Sequence, residues 1–149
     1  MQITMTRLET LSPELVRKLQ NTTTEKQRAA TLAACEFAVT HATVDYPLVD
    51  KSLEKLRSSG VLNPKEIAEL DALAAQLDEE YFTLQEAAEE GRVGAGDYMR
   101  VFGRARAVAA LSFAGGEDPF HAATDAIYEA SATTDDKIEF VVYVQSMLE

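Results

Sequence analysis

An eleven-residue pattern that occurs twice constrains the fold of this chain more than any other feature. The segment Arg28-Ala29-x-x-x-Ala33-Ala34-x-x-Phe37-Ala38 recurs as Arg104-Ala105-x-x-x-Ala109-Ala110-x-x-Phe113-Ala114, with six of the eleven positions identical. An aspartate and a proline follow each copy, at residues 45–47 and 118–119. This order predicts a helix, a short turn and a second helix, repeated at about residues 25–59 and 97–131. Because four of the matches are alanines, a chance likeness of two buried helices is the alternative to a true duplication.

Prolines and capping side chains predict where the helices begin. Three prolines directly follow a capping residue, in the pairs Ser12-Pro13, Asn63-Pro64 and Asp118-Pro119. Thr24 and Thr133 are predicted to cap two further helices, because an acidic or amide side chain follows each of them three residues later. Glycines at 60, 91 and 115–116 predict helix ends. Together these signals predict seven helices, near residues 13–20, 25–42, 46–59, 64–90, 97–114, 119–131 and 135–148.

The secondary structure of residues 138–144 is ambiguous in the sequence. Their β-branched and aromatic side chains, in the order Ile-Glu-Phe-Val-Val-Tyr-Val, suit a strand as well as a helix. A strand would need a partner, and apart from residues 2–5 no partner strand is evident, so we predict a helix. The whole chain, residues 1–149, is then a single all-α domain, either a multi-helix bundle or a short helical-repeat arrangement.

Charge and composition limit the partners and the compartment. The net charge of −11 disfavours nucleic acid, since binding a polyanion needs clustered lysine and arginine. Cys35 is the single cysteine, so no internal disulfide can form. The first residues do not resemble a signal peptide, and no apolar run approaches the roughly 20 residues of a membrane helix. We therefore expect a cytoplasmic protein that does not enter membranes.

Motifs for catalysis, metals or cofactors are missing from the sequence. Metal centres in helical bundles typically use Glu-x-x-His from two helices, and this chain has only one related spacing, from Asp118 to His121. Cys35 lies between positions predicted to be buried and is read as a small core residue. The glycines of residues 91–96 lack the Lys-Ser/Thr of a phosphate-binding loop. We predict neither an enzyme nor a cofactor or metal.

Acidic residues concentrate on the predicted fourth helix. Residues 61–92 contain nine acidic and two basic residues. Their apolar positions form a core stripe at Ile67, Leu70, Ala74, Leu77, Tyr81, Leu84 and Ala88. On the opposite side lies what we call the acidic ridge, which consists of Gln76, Glu79, Thr83, Glu86 and Glu90. A solvated helix face is the simplest explanation of such a charge run, and a binding surface is the alternative.

Arginines recur on the predicted fifth helix. Arg100, Arg104 and Arg106 lie beside Tyr98 and Phe102. We predict that these arginines pair with acids of the fourth helix across the turn at residues 91–96. A contact in a homodimer is the alternative.

The chain resembles the small, acidic, alanine-rich helical immunity proteins of bacterial polymorphic toxin systems. The resemblance covers about half of the chain and lies in both copies of the repeated pattern and in the segment Ala122-Ala-x-Asp-Ala-Ile-Tyr128-Glu-Ala. It implies a protein that neutralises a toxin by binding it, without catalysis of its own. No residue role is transferred by this resemblance.

A toxin of this kind would be a basic protein, to which an acidic surface is complementary. The candidate partner-binding residues are Asp78, Glu79, Glu80, Tyr81, Glu86, Glu89, Glu90 and Tyr98. Two other functions remain open from the sequence. One is a helical scaffold or adaptor, and the other is a protein that binds a small ligand between its helices.

Overall fold

The computed structural model describes residues 6–149, which form seven α-helices after one short 3₁₀-helix and contain no strand. The 3₁₀-helix is Arg7–Thr10, and the α-helices are α1 Pro13–Gln20, α2 Thr24–Ala42, α3 Pro47–Ser59, α4 Pro64–Glu89, α5 Ala95–Ala114, α6 Pro119–Ser131 and α7 Lys137–Ser146. The prediction of an all-α fold is confirmed. None of these helices is long and apolar enough to cross a membrane.

Side-chain caps start most of the helices as predicted. The Ser12 hydroxyl accepts the Leu15 N–H at 3.1 Å, and the Asp118 carboxylate accepts the His121 N–H at 3.0 Å. Asn63 forms a reciprocal capping box with Glu66, with hydrogen bonds of 2.8 and 2.9 Å. These bonds satisfy backbone donors that a helix leaves without partners at its first turn.

Two predicted caps are wrong by one to three residues. Thr23 caps α2 instead of Thr24, by accepting the Lys26 N–H at 3.2 Å. Asp136 caps α7 instead of Thr133 and accepts the Glu139 N–H at 3.0 Å. The Thr133 hydroxyl donates to the Ala130 carbonyl at 2.7 Å, so it is engaged at the end of α6.

Alanines form the contact between the three central helices, α2, α5 and α6. Alanines recur every fourth residue on α2, at 30, 34 and 38, and on α6, at 122, 126 and 130, and all of them are buried. A small side chain at this spacing allows neighbouring backbones to approach closely. Of the paired alanines in the repeated pattern, Ala33, Ala34 and Ala110 are buried, whereas Ala109 is partly exposed.

The two phenylalanines of the repeated pattern, Phe37 and Phe113, have different surroundings. The Phe113 side chain is 39 % exposed and lies under the Arg7 guanidinium, 5.5 Å from the ring centre. Because α5 buries residues 110–112 and 114, position 113 falls on its open side. Phe37 is half-buried and packs on Phe140, with ring centres 5.1 Å apart.

The segment at 138–144 is helical and belongs to α7. This helix inserts Phe140 and Val144 into the core, while Ile138 and Val142 are 80 % and 60 % exposed. Residues 2–5, the alternative strand partner, lie outside the described residues.

The helix–turn–helix units predicted as repeats correspond to α2–α3 and α5–α6, but they pack differently. Helix α6 lies against both α2 and α5, whereas α3 lies at their edge, and the duplication itself stays a prediction.

The end of α5 is fixed by contacts with distant parts of the chain. Arg28 of α2 donates to the carbonyls of Ala114, Gly116 and Glu117 at 3.3, 2.9 and 2.9 Å. The Leu62 N–H donates to the Gly115 carbonyl at 3.1 Å, which joins the loop between α3 and α4 to the same place.

Gly115→Ala tests this junction. A methyl group at Gly115 would lie 2.7 Å from Cβ of Leu62, so the substitution should cost roughly 1–3 kcal/mol through overpacking. Gly96→Ala is the matched control, because nothing lies within 4 Å of that position and alanine favours a helix by roughly 0.5–1 kcal/mol. Urea denaturation of both variants measures the difference. Equal effects of the two substitutions would contradict the tight contact with Leu62.

Candidate functional site

Helices α4 and α5 form a long hairpin at one side of the bundle. Helix α4 has 26 residues, which corresponds to a length of about 39 Å. It packs along α5, contacts α3 near its start, and leaves its other side open. The hairpin turn is held by hydrogen bonds. The Gly91 N–H donates to the Ala88 carbonyl at 3.0 Å, and the Arg92 N–H donates to the Ala87 carbonyl at 2.8 Å.

This bonding pattern is a Schellman motif, which needs a left-handed residue after the helix. Gly91 supplies it with φ of 76°. The next helix begins immediately, and the Asp97 carboxylate accepts the Gly94 N–H at 3.2 Å. The far end of the hairpin is therefore a defined turn that holds the two helices in register.

The core stripe predicted on α4 faces α5. Leu70, Ala74 and Leu77 are buried, and Ile67, Tyr81 and Leu84 are half-buried. At the end of the helix the order shifts, since Ala87 is buried and Ala88 is only partly so. The turn at Gly91 curls back over the Ala87 side of the helix, which explains the shift.

The two tyrosines predicted as binding anchors lie between the helices of the hairpin. The Tyr81 ring centre is 5.8 Å from that of Tyr98 and 5.4 Å from that of Phe102. Both tyrosines are half-buried, and their contact area is used largely within the hairpin. They stabilise the seam between α4 and α5 instead of projecting as free anchors.

Phe82 is the exposed aromatic residue of this region and is not among the candidate binding residues predicted from the sequence. Its side chain is 60 % exposed, although its ring lies 5.2 Å from that of Tyr81. Position 82 lies three residues after Glu79 and four before Glu86, so all three share one face of the helix. The spacing of Phe82 from Glu79 and Glu86, two members of the acidic ridge, was the signal that could have identified it.

The acidic residues of the hairpin separate into two groups. Asp78 accepts two hydrogen bonds from Arg106, both at 3.0 Å, and Glu90 pairs with Arg92 at 2.6 Å. The remaining predicted acids are exposed and have no ion-pair partner among residues 6–149: Glu79, Glu80, Glu86 and Glu89. Glu80 lies two residues before Phe82 and so points to the other side of the helix. We call Glu79, Glu86 and Glu89 together with Phe82 the tip surface.

Only one of the three arginines of α5 pairs with α4 as predicted. Arg106 contacts Asp78 on α4, whereas Arg100 pairs with Asp97 of its own helix at 2.6 Å. Arg104 has no acidic partner among the described residues. The prediction of a seam of three ion pairs is therefore wrong for two of its members.

Arg106 also joins α5 to a buried carboxylate of α6. Its guanidinium donates to Glu129 at 2.9 Å, and Arg7 donates to the other oxygen of Glu129 at 3.0 Å. The Glu129 side chain is only 6 % exposed. Breaking a buried ion pair by removing one partner is costly, because the remaining charge stays buried.

The residues of a possible enzyme site do not form a reactive pair. A cleft of about 520 Å³ is lined by Ser112 and His121 together with several acids. Ser112 donates to Asp71, and His121 contacts Asp118 at 3.1 Å, so the serine and the histidine are engaged by different carboxylates. His121 is therefore not placed to activate Ser112, and the cleft lacks the serine–histidine pair of a nucleophilic site.

Metal binding and thiol chemistry have as little support in the structure as the serine and histidine of the cleft. Among residues 6–149, no cluster of histidine, cysteine or acidic side chains has the arrangement of a metal site. Cys35 is completely buried, and burial raises the pKa of its thiol to about 12. The thiol is therefore protonated at neutral pH and is a poor nucleophile. The absence of enzymatic activity stays a prediction.

Arg106→Met tests the buried network. We expect a loss of about 3 kcal/mol in the free energy of unfolding, since Glu129 would retain only Arg7 as a partner. Arg57→Met is the control, because Arg57 forms an exposed pair with Glu36 at 3.2 Å, and such pairs contribute at most about 1 kcal/mol. Urea denaturation of both variants provides the comparison. A loss from Arg106→Met as small as that of the control would refute the structural importance of the network.

The raised pKa of Cys35 predicts a specific dependence of stability on pH. Above pH 9 the thiol ionises in the unfolded chain but stays protonated in the native one, so the native state loses about 1.4 kcal/mol per pH unit until the pKa of about 12. Cys35→Ala removes this contribution and leaves the other titrating groups in place. The stability difference between the two proteins, measured from pH 8 to 10.5, should therefore change above pH 9. A constant difference would show that the thiol ionises equally in both states.

No match to this chain was found among protein-family models, among curated proteins or among solved structures. The resemblance to immunity proteins therefore stays a prediction, and the case for a function depends on the geometry of the tip surface.

Proposed function

We propose that this protein binds and neutralises a basic bacterial toxin, as an immunity protein does, through its tip surface. The observation that carries the proposal is the presence of three unpaired carboxylates, Glu79, Glu86 and Glu89, beside an exposed phenylalanine on a fixed helical hairpin. The proposal places the protein in the cytoplasm, where it would meet a toxin that acts inside the cell.

The arrangement of charges supports binding more than it supports folding. Glu86 lies three and four residues before Glu89 and Glu90, and like charges at this spacing destabilise a helix by a few tenths of a kcal/mol. Arg92 relieves Glu90, but no described cation relieves the other two. A field of one sign accelerates association with an oppositely charged protein. The unpaired charges thus gain a role in recognition that they lack in the isolated fold.

Phe82 supplies the apolar contact that such a surface needs. Charged residues at the rim of an interface accelerate association, whereas affinity depends largely on a few well-packed residues near its centre. Phe82 stands between Glu79 and Glu86 and is braced at one edge by Tyr81. A toxin with a basic cleft around an apolar pocket would be complementary to this surface.

The function itself is tested by rescue of growth. A candidate toxin domain, taken from the gene adjacent to this one, is expressed in the cytoplasm with and without this protein, and growth is scored. Restored growth together with co-purification of the two proteins supports immunity. If the toxin remains equally toxic in the presence of this protein, the proposal is refuted, and a scaffold function becomes the better explanation.

The tip surface is tested by two variants, one double and one single, each with a matched control. Glu79→Gln with Glu86→Gln should slow association with the toxin about tenfold at low salt and reduce its dependence on salt, with little change in dissociation. Glu25→Gln with Glu54→Gln changes the net charge equally at exposed sites on α2 and α3 and should have a smaller effect. Stopped-flow or surface-binding kinetics measure both rates.

Phe82→Ala should instead accelerate dissociation about tenfold or more, as expected for a central apolar contact. Val142→Ala, at an equally exposed position on α7, serves as its control. Unchanged kinetics in both tip variants would exclude the tip surface even if rescue succeeds.

A further inference from the structure

A pocket of about 280 Å³ lies where the end of α2 meets the first half of α5. The α2 side contributes His41, Ala42 and Thr43, the α5 side contributes Gly96, Met99, Arg100, Gly103 and Arg104, and Thr133 closes it after α6. Two arginines and a histidine therefore line this pocket, and no carboxylate does. Arg100 is already paired with Asp97, so the positive charge that stays unmatched at this pocket is that of Arg104.

Arg104 is the half-buried arginine whose charge is not matched. Three arginines of the described chain are only partly exposed, at positions 28, 104 and 106. Arg28 donates to three carbonyls and Arg106 to two carboxylates. Arg104 makes no hydrogen bond or ion pair with residues 6–149, and its Nε atom is buried without a partner. Burying a charged group without a partner is costly, so this position favours a ligand of opposite charge.

The repeated sequence pattern makes the difference between Arg28 and Arg104 informative. Both arginines occupy the same position of the pattern, and both lie near the C-terminal end of the opposing helix. Arg28 reaches the carbonyl oxygens that end α5. At the end of α2, the carbonyls of Val39 and Thr40 are bound by backbone N–H groups of residues 43 and 44. Backbone oxygen acceptors therefore surround Arg28 in the first copy of the pattern, whereas the corresponding space beside Arg104 in the second copy is an open pocket.

The backbone at this pocket is also strained. Thr43 ends α2 in the left-handed conformation, with φ of 56° and ψ of 59°. This region is unfavourable for a β-branched residue, and such strain is concentrated at functional sites. Gly103 brings α5 close, since a methyl group there would lie 3.6 Å from Cβ of Ala42. The strained turn and the close approach together place Thr43 and Arg104 around one pocket.

From these observations we infer that the pocket binds a phosphate group, either as inorganic phosphate or as part of a small phosphate monoester. The Arg104 guanidinium can bind two oxygens at once, and Arg100, which lines the pocket while paired with Asp97, retains further N–H donors. The Thr43 hydroxyl and the His41 ring can donate to the remaining oxygens, and a phosphate offers more acceptors than a carboxylate does. The pocket is smaller than the usual site of a drug-sized ligand, which favours a small anion.

The inference concerns a different face of the hairpin seam from the tip surface and is tested on the isolated protein. Thermal and urea unfolding are measured in inorganic phosphate and in sodium chloride of equal ionic strength at one pH. At ten times its Kd, phosphate should lower the unfolding equilibrium constant about eleven-fold relative to chloride. Acetate at the same concentration and ionic strength should have a smaller effect.

Arg104→Gln should abolish the phosphate-specific effect, and Arg104→Lys, which keeps the charge but loses the planar fork, should weaken it. Arg17→Gln is the control, because Arg17 is exposed, has no ion-pair partner among residues 6–149 and gives the same change in net charge. Each variant is compared with itself in the two salts, so a loss of stability from the substitution alone does not affect the result.

A second measurement follows the Nε–H resonance of Arg104 during phosphate titration by NMR, where a saturable shift is expected. The absence of any phosphate effect beyond that of chloride would overturn the inference. An effect retained in Arg104→Gln would assign the binding elsewhere and overturn it as well. An acetate effect equal to that of phosphate would refute the phosphate assignment.

Discussion

The close approach of α2, α5 and α6 across alanine side chains is the contact on which the rest of the structure depends. Alanine contributes little apolar area per residue, so stability at this contact comes from many short contacts between backbones. Such an interface has no space for larger side chains, and bulky residues must lie at its margins. Phe113 is displaced to the surface for this reason, and the aromatic residues of α4 and α5 collect in the hairpin seam outside the centre.

Glu129 fixes the register of helices that alanine packing alone would not determine. Alanine faces are alike, and sliding one helix by a turn would bring similar residues together. A buried carboxylate with two fixed arginine partners allows a single register, because any shift would separate the charges. The same arginine holds Asp78, so the position of α4 on the bundle is tied to that of α6. The hairpin that carries the tip surface is thereby placed by electrostatics as well as by its apolar stripe.

Local chemistry explains what could be predicted from the sequence. Prolines, caps and glycines act within a few residues, so the seven helices and the helical state of residues 138–144 were accessible, and α4 could be assigned its buried and exposed faces from periodicity. Partners across the fold were not accessible in this way. Arg100, Arg104 and Arg106 look equivalent in sequence. Only the packing of α5 on its neighbours shows that Arg100 forms a local pair, that Arg104 is unmatched and that Arg106 joins a buried network. Phe82 was missed because a phenylalanine on a helix is expected to face inward.

The bonds from Arg28 to the end of α5 have a consequence for how the chain acquires its structure. They join residues 86, 88 and 89 positions apart, and the bond from Arg7 to Glu129 spans 122 positions. Helix α2 finds its main neighbours only in α5 and α6, so during synthesis it must wait until most of the chain has left the ribosome. Its alanine face stays uncovered for that time, and loop closure over such distances slows folding of a helical protein. A chain interrupted before residue 114 would lack the oxygens that Arg28 binds, and α2 would remain without its partner.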